Sequence, residues 1–151
     1  MCIRDRESRA KANWDTLSQL RDMWPGKLVI KGVLDVQDAR ALKQAGVDAI
    51  QVSSHGSRQL DSAPLPIKAL ADIRQAVGSD FPLFYDTGLR SGEDVVKAFE
   101  QGANFTFLGR ILQFSIAAAG EEGLAVLWEV LKNETSITLA QIGKTSLLDQ
   151  V

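Results

Sequence analysis

The sequence predicts an α/β fold in which four parallel strands alternate with helices. Four short apolar runs are each followed by a segment whose apolar residues recur at helical spacing. In addition, the stretch 39–50 is echoed by the stretch 96–107, and both have the pattern of a helix end, a turn and a strand. Because a TIM (β/α)8 barrel needs eight strands, four such units form either a small open sheet or the carboxyl-terminal half of a TIM barrel.

Length and composition indicate one globular domain. The 151 residues are 45% hydrophobic and 24% charged, as is typical of a folded domain with its own core. Residues 13–151 are predicted to form this domain. Residues 1–12 lack a hydrophobic period and are predicted to be a disordered leader, whose native origin stays open.

Charge and cysteine content limit the partners and the setting. The net charge of -2 gives no reason to expect nucleic acid as a partner. Cys2 is the only cysteine, so an internal disulfide is impossible and a cytoplasmic setting is favoured. No apolar run approaches the roughly 20 residues of a membrane span, although peripheral attachment to the inner membrane stays open. No metal site is predicted.

The first half of the chain is predicted to contain two helix–strand pairs. Asn13 offers an N-cap for a helix over residues 14–24, and a buried strand over residues 28–30 then places Lys31 and Gly32 at its end. A helix over residues 35–44 ends at Gly46, and a buried strand covers residues 49–52. The apolar face of the first helix consists of Trp14, Leu17, Leu20 and Trp24.

The second half continues the alternation. Helices are predicted over residues 67–77 and 91–101, the latter capped by Ser91, and strands over residues 81–85 and 105–108. A long apolar helical region over residues 112–131 follows, which Gly120 and Gly123 are candidates to break. The tail, residues 136–142, is predicted to be a separate short helix.

The loop after the second strand contains the residues best suited to chemistry. His55, the only histidine, stands three residues before Arg58, and loops at the carboxyl ends of parallel strands carry the active sites of such folds. An imidazole can take a proton near neutral pH, and an arginine can hold a carboxylate through two parallel hydrogen bonds. The pair therefore predicts a small carboxylic acid substrate, against the plainer interpretation that both are ordinary polar loop residues.

Two further loops have the composition of a phosphate site. Glycine and arginine follow the third and fourth strands, and glycines allow main-chain N–H groups to approach an anion. In TIM barrels the loops after strands seven and eight frequently bind phosphate, which is where these loops fall if the chain is the second half of a barrel. Turn glycines with solvated arginines are the alternative. The residues concerned are Asp86, Thr87, Gly88, Leu89, Arg90, Gly109 and Arg110, with Lys31 at the same edge.

Together these segments resemble the FMN-dependent α-hydroxy acid dehydrogenases and oxidases. The resemblance covers residues 14–142 and rests on the order and spacing of four motifs. The most specific is the run His-Gly-x-Arg-Gln-Leu-Asp that begins at His55. The motifs are Lys31-Gly32, the run 53–61, the run 86–92 and Gly109-Arg110.

The resemblance implies a cofactor, FMN, and a role for each residue. His55 would be the base that takes a proton from a small L-2-hydroxy acid as two electrons pass to the flavin, and Arg58 would bind the substrate carboxylate. Lys31 and Ser53 would meet the flavin ring. The ribityl chain and phosphate would be held by Asp86, Thr87, Gly88, Leu89, Arg90, Gly109 and Arg110.

The resemblance also implies a larger protein. Its first half would supply further flavin and substrate contacts, the full-length protein would be a homo-oligomer (a tetramer in this family), and the electron acceptor is not specified by these residues. The chain alone would then be an inactive fragment, and a non-catalytic phosphate-binding or interaction module is the alternative. Three positions depart from the usual family pattern, which has Asn at Ser54 and Gly at Ser57 and Thr87.

Overall fold

The computed structural model describes residues 13–58 and 60–148, so the predicted leader lies outside the described residues. Within these residues four strands alternate with five helices, and one 3₁₀ turn, His55–Ser57, follows the second strand. The strands are β1 (Val29–Val33), β2 (Ala49–Val52), β3 (Leu83–Tyr85) and β4 (Phe105–Thr106). The helices are α1 (Trp14–Met23), α2 (Val36–Gln44), α3 (Pro66–Val77), α4 (Gly92–Glu100) and α5 (Arg110–Gln141).

All strand pairs are parallel, and the order in the sheet is β1-β2-β3-β4. Since the order never reverses, right-handed crossovers place successive helices on the same face of the sheet. A doubly wound sheet would instead reverse its strand order at a switch point. The chain is therefore singly wound, as a TIM barrel is, and the prediction of part of such a barrel is confirmed.

The hydrophobic core lies between the two central strands and the helices beside them. The side chains of β2 are all buried, and α3 supplies three of the largest fully buried side chains. Most of the predicted elements agree within a few residues, including the N-caps Asn13 and Ser91. The largest fully buried apolar side chains are Ile50, Val52, Leu70, Ile73, Val77 and Leu83.

The outer strands differ from the prediction. β1 was predicted to be buried, but it is an edge strand in which Val29 is exposed, and Lys31 lies within it rather than after it. β4 contains two residues instead of four, and the side chain of Phe105 is 54% exposed. The predicted apolar face of α1 is also largely open, since only Leu17 is buried. In each case an edge strand of the sheet, or a helix beside it, has no further unit among the described residues to pack against.

The carboxyl-terminal helix is longer than predicted. α5 continues through the predicted tail helix, and its axis breaks at Ala119 and Gly120, where Gly120 has a φ of 57°. Gly123 permits this break, because a Cβ at that position would lie 2.1 Å from the Ser115 carbonyl oxygen. By length and composition alone α5 would suffice to cross a membrane, although Glu121 and Glu122 interrupt its apolar residues.

Candidate active site

The ends of β1, β2 and β3 are joined by one cluster of polar side chains. The Lys31 ammonium lies 2.7 Å from the Ser53 hydroxyl and 2.8 Å from the Asp86 carboxylate. Ser53, almost completely buried, donates a short hydrogen bond to Asp86 and accepts one from the His55 main-chain N–H at 3.0 Å. The structure thus brings together three of the residues predicted for the flavin contacts and links them to the loop of the predicted base.

Asp86 is the centre of this cluster. Burial acts to raise the pKa of its carboxyl group, but hydrogen bonds from Lys31, Ser53 and Thr87 outweigh burial and lower the pKa. A fourth donor, the Gln51 side-chain amide, lies 2.6 Å from the same carboxylate. Asp86 is therefore a carboxylate at neutral pH, held in one orientation by neighbours on three strands.

Gln51 was not predicted as a site residue. It was assigned to the buried apolar run of β2, yet its side chain lies in register with Lys31 of β1 and Phe84 of β3. The signal that could have found it is a single amide within the run Ala-Ile-Gln-Val. A buried polar side chain usually has a specific partner, and here that partner is Asp86.

The turn that carries His55 is tight and conformationally unusual. His55, Gly56 and Ser57 have φ values of 55°, 67° and 58°, all in the left-handed region that glycine adopts most easily. The Ser54 hydroxyl closes the turn by accepting from the Ser57 N–H at 3.3 Å. A left-handed conformation at non-glycine residues costs free energy and is concentrated at functional sites.

The side chains of His55 and Arg58 lie at the carboxyl edge of the sheet. Neither makes a side-chain hydrogen bond or ion pair within the described part of the chain. His55 is half-buried and Arg58 is exposed, so both are available to a ligand. The structure places them where the sequence predicted, in the loop that follows β2.

The two predicted phosphate loops also lie at this edge. A Cβ at Gly88 or Gly109 would meet no atom within 4 Å, so open space lies in front of both residues. Arg90 and Arg110 are exposed, and α5 begins at Arg110 with its first N–H groups directed to the same edge. The side chain of Leu89 is instead buried in the core, which leaves only its main chain for a ligand.

The three loops are connected to one another through Gly56. Its N–H donates to the Thr87 hydroxyl at 3.4 Å, and its carbonyl oxygen accepts from Arg110 at 3.4 Å. The loops after β2, β3 and β4 therefore converge on one residue, Gly56. Among the described residues no group of three or more histidine, cysteine or carboxylate side chains could hold a metal ion.

The singly wound parallel sheet defines part of a TIM-barrel protein. Its carboxyl edge carries the His55 imidazole, the guanidinium groups of Arg58, Arg90 and Arg110, and the Lys31–Asp86 ion pair, and this is the edge at which such barrels carry their active sites. The family model described as FMN-dependent dehydrogenase matches residues 3–150. The chain belongs to this family of flavoproteins.

Individual relatives agree with this assignment. The chain is 42% identical over 134 residues to an L-lactate dehydrogenase of Bartonella tribocorum, covering 89% of this chain and 35% of that protein. It is 41% identical over 141 residues to the (S)-mandelate dehydrogenase of Pseudomonas putida, covering 93% of this chain and 35% of that protein. The chain thus spans about a third of the length of these relatives.

Solved structures show the same relationship. An active chimera of (S)-mandelate dehydrogenase superposes with a TM-score of 0.87 at 41% identity, over 93% of this chain and 39% of that one. A mandelate oxidase superposes with a TM-score of 0.84 at 38% identity, over 90% of this chain and 42% of that one.

Proposed function

We propose that this chain forms the carboxyl-terminal part of an enzyme that uses FMN to oxidise a small L-2-hydroxy acid to the 2-oxo acid. One observation carries the proposal. Lys31 lies in β1, and His55, Asp86 and Arg110 follow β2, β3 and β4, yet direct contacts connect the four segments at one edge of the sheet.

The residues present fit FMN. Open space in front of Gly88 and Gly109, with exposed Arg90 and Arg110 beside it, suits a dianionic phosphate. Asp86 would accept from a ribityl hydroxyl by exchanging one of the four side-chain donors that it now holds, and Lys31 supplies a positive charge beside the buried Ser53 hydroxyl for the ring. When bound, FMN supplies an acceptor for two electrons.

The substrate would be handled by the loop after β2. Oxidation of a hydroxy acid removes two electrons and two protons. The two electrons and one proton would pass to bound FMN, and His55 would accept the other proton, because an imidazole is a base suited to neutral pH. Arg58 binds the carboxylate through its planar fork, since nothing else in the described chain occupies its guanidinium. Lys31 stabilises the negative charge that accumulates beside it.

The choice of acid is proposed to be lactate-like. Relatives named L-lactate dehydrogenase and (S)-mandelate dehydrogenase match at similar identity, so the family alone does not decide between them. Several relatives at 39–42% identity carry the name L-lactate dehydrogenase, and this supports a lactate-like acid. We further propose that the complete enzyme is a cytoplasmic homo-oligomer.

A graft tests the function directly. The matched segment of Pseudomonas putida (S)-mandelate dehydrogenase is replaced by residues 13–148 of this chain, giving a complete barrel called here the grafted enzyme. We expect a yellow protein whose flavin absorbance is bleached by L-lactate without oxygen. Bound flavin that no 2-hydroxy acid bleaches would rule out the proposed function.

A second candidate is a non-catalytic module that binds phosphate or a partner chain. The exposed edge strands and the aromatic face formed by Phe84, Phe105 and Phe107, whose rings lie 5.1–6.2 Å apart, favour this alternative for the isolated chain. Unpaired edges and open apolar faces promote association. Purified residues 1–151 are therefore expected to associate and to show little turnover, and robust oxidation of a hydroxy acid by them would exclude the module.

A further inference from the structure

Thr87 has a backbone conformation that β-branched residues rarely adopt. Its φ is 90°, in the region where glycine carries no steric cost. Neighbouring Gly88 also has a positive φ, so the chain turns sharply here directly after β3. A threonine kept in such a conformation at the edge of a site implies that its side chain makes contacts that offset the strain.

The Thr87 hydroxyl makes two contacts, one to each of two loops. Oγ1 donates to the Asp86 carboxylate at 2.8 Å and accepts from the Gly56 N–H at 3.4 Å. A hydroxyl has one hydrogen and two lone pairs, so it can serve both groups at once. Because the carboxylate can only accept, it fixes the direction of the hydroxyl hydrogen and leaves a lone pair for Gly56.

The peptide held in this way is the one that adjoins the predicted base. Gly56 immediately follows His55, whose own N–H is bonded to Ser53 at 3.0 Å. Ser53 and Thr87 both bond the same Asp86 oxygen, Oδ1. The main-chain N–H groups of His55 and Gly56 are therefore both linked to the Asp86 carboxylate, the first through the Ser53 hydroxyl and the second through the Thr87 hydroxyl.

We propose that Thr87 is a positioning residue, whose hydroxyl fixes the Gly56 peptide relative to Asp86 and thereby fixes the direction of the His55 imidazole. The functional part of this inference rests on the proposed role of His55 as the base. The geometric part rests only on the contacts of Thr87. The two parts are separated by two measurements.

The first measurement is hydrogen–deuterium exchange of the Gly56 amide in the 151-residue chain and its variants. Thr87→Ser keeps the hydroxyl, Thr87→Val keeps the shape without it, and Thr87→Gly removes both while relieving the backbone strain. We expect wild type and Thr87→Ser to agree, and the other two to exchange about fivefold faster, the factor for one hydrogen bond of ordinary net strength. Equal Gly56 exchange in all four proteins would overturn the proposal.

Thr87→Gly separates positioning from stability. Relief of the strain is expected to leave its thermal midpoint equal to or above that of wild type. Faster exchange at Gly56 in a protein that is no less stable can only come from loss of the local contact. Faster exchange accompanied by an equal increase at the amides of β2 would instead indicate general destabilisation and would contradict the proposal.

The second measurement uses the grafted enzyme with the same substitutions. We expect Thr87→Val to slow flavin reduction by about 10- to 100-fold, the range for a displaced catalytic group, while FMN affinity changes less and Thr87→Ser restores the rate. An unchanged reduction rate in Thr87→Val would overturn the positioning role. If the unsubstituted grafted enzyme is not reduced by any 2-hydroxy acid, the proposed function fails, while exchange at Gly56 still decides the contact.

Discussion

The ammonium group of Lys31 lies 2.8 Å from the carboxylate of Asp86, although their strands, β1 and β3, are not neighbours in the sheet. The pair spans the intervening β2, and Ser53, the residue that follows β2, is hydrogen-bonded to both partners. The ion pair and the Ser53 hydroxyl together therefore connect β1 with the residues that follow β2 and β3.

Asp86 gives the first prediction, an effect on acid stability. Its pKa is lowered in the folded protein, so it stabilises the fold above its unfolded value of about 3.9, and that stability is lost as the pH falls through the lower folded pKa. Asp86→Asn is expected to reduce the loss of stability below about pH 4, measured by urea unfolding at a series of pH values. Asp22→Asn, at an exposed carboxylate, is the control, and the loss of stability below about pH 4 should be the same as in the wild type.

Tyr85 gives a prediction at the other end of the pH scale. Burial, and then the charges of Asp86 and Asp94, raise its pKa to about 12. The unfolded chain releases this proton first, near pH 10, so stability is lost as the pH rises from about 10 towards 12. Tyr85 is the only tyrosine, and its absorbance at alkaline pH therefore reports this one group. A phenolate signal with its midpoint near pH 10 in the folded chain would contradict the expectation, and Tyr85→Phe should remove this alkaline loss.

His55→Gln tests the base in the grafted enzyme. Glutamine keeps a similar volume and hydrogen-bonding capacity but cannot accept a proton near neutral pH. FMN should stay bound while its reduction by substrate slows by about 10²–10⁴, the usual contribution of a general base. Stopped-flow absorbance of the flavin measures the rate, and reduction at the unsubstituted rate would mean that another residue is the base.

Arg58→Lys tests carboxylate binding in the same protein. The charge is kept and the planar fork is lost, so substrate binding should weaken more than FMN binding. The dependence of the reduction rate on substrate concentration gives the first quantity, and flavin titration gives the second. Equal weakening of both would argue that Arg58 supports the fold of the loop instead.

Arg90→Ala and Arg110→Ala test the phosphate site. Each removes charge-assisted hydrogen bonds worth about 1.5–3 kcal/mol, so FMN affinity should fall more than substrate affinity. Arg40→Ala, at an exposed arginine of α2, is the matched control. Titration of the apo-protein with FMN checks the result, and an affinity equal to that of the control in both variants would remove the phosphate assignment.

Periodicity predicted the regular part of the fold well, because the buried units repeat. The strand Ala49–Val52 and the helix Pro66–Val77 have strong local patterns, and tertiary packing did not override them. The prediction failed at the ends of the sheet, where a run such as Phe105 to Leu108 has the composition of a buried strand but no neighbouring unit to bury it. Burial depends on the neighbour as well as on the segment.

The candidate site was predicted from motifs, but its connections were not. His55 and Asp86 could be placed at one edge from strand order alone. The hydrogen bonds from Gln51 to Asp86 and from Gly56 to Thr87 depend on the register between β2 and β3, which spacing along the chain does not report. The positive φ of Ser57 and Thr87 gives a physical reason for the glycine expected at both positions.

The concentration of fully buried side chains in β2, α3 and β3 has a consequence for how the chain folds. Contacts between neighbouring units dominate, and Ile50, Leu70 and Leu83 are completely shielded from solvent. This central trio of elements is therefore expected to nucleate the structure, with β1 and β4 joining later and opening first. Amide protection should decrease from β2 and β3 outward in both directions, so that the sheet unravels from its two margins towards the middle.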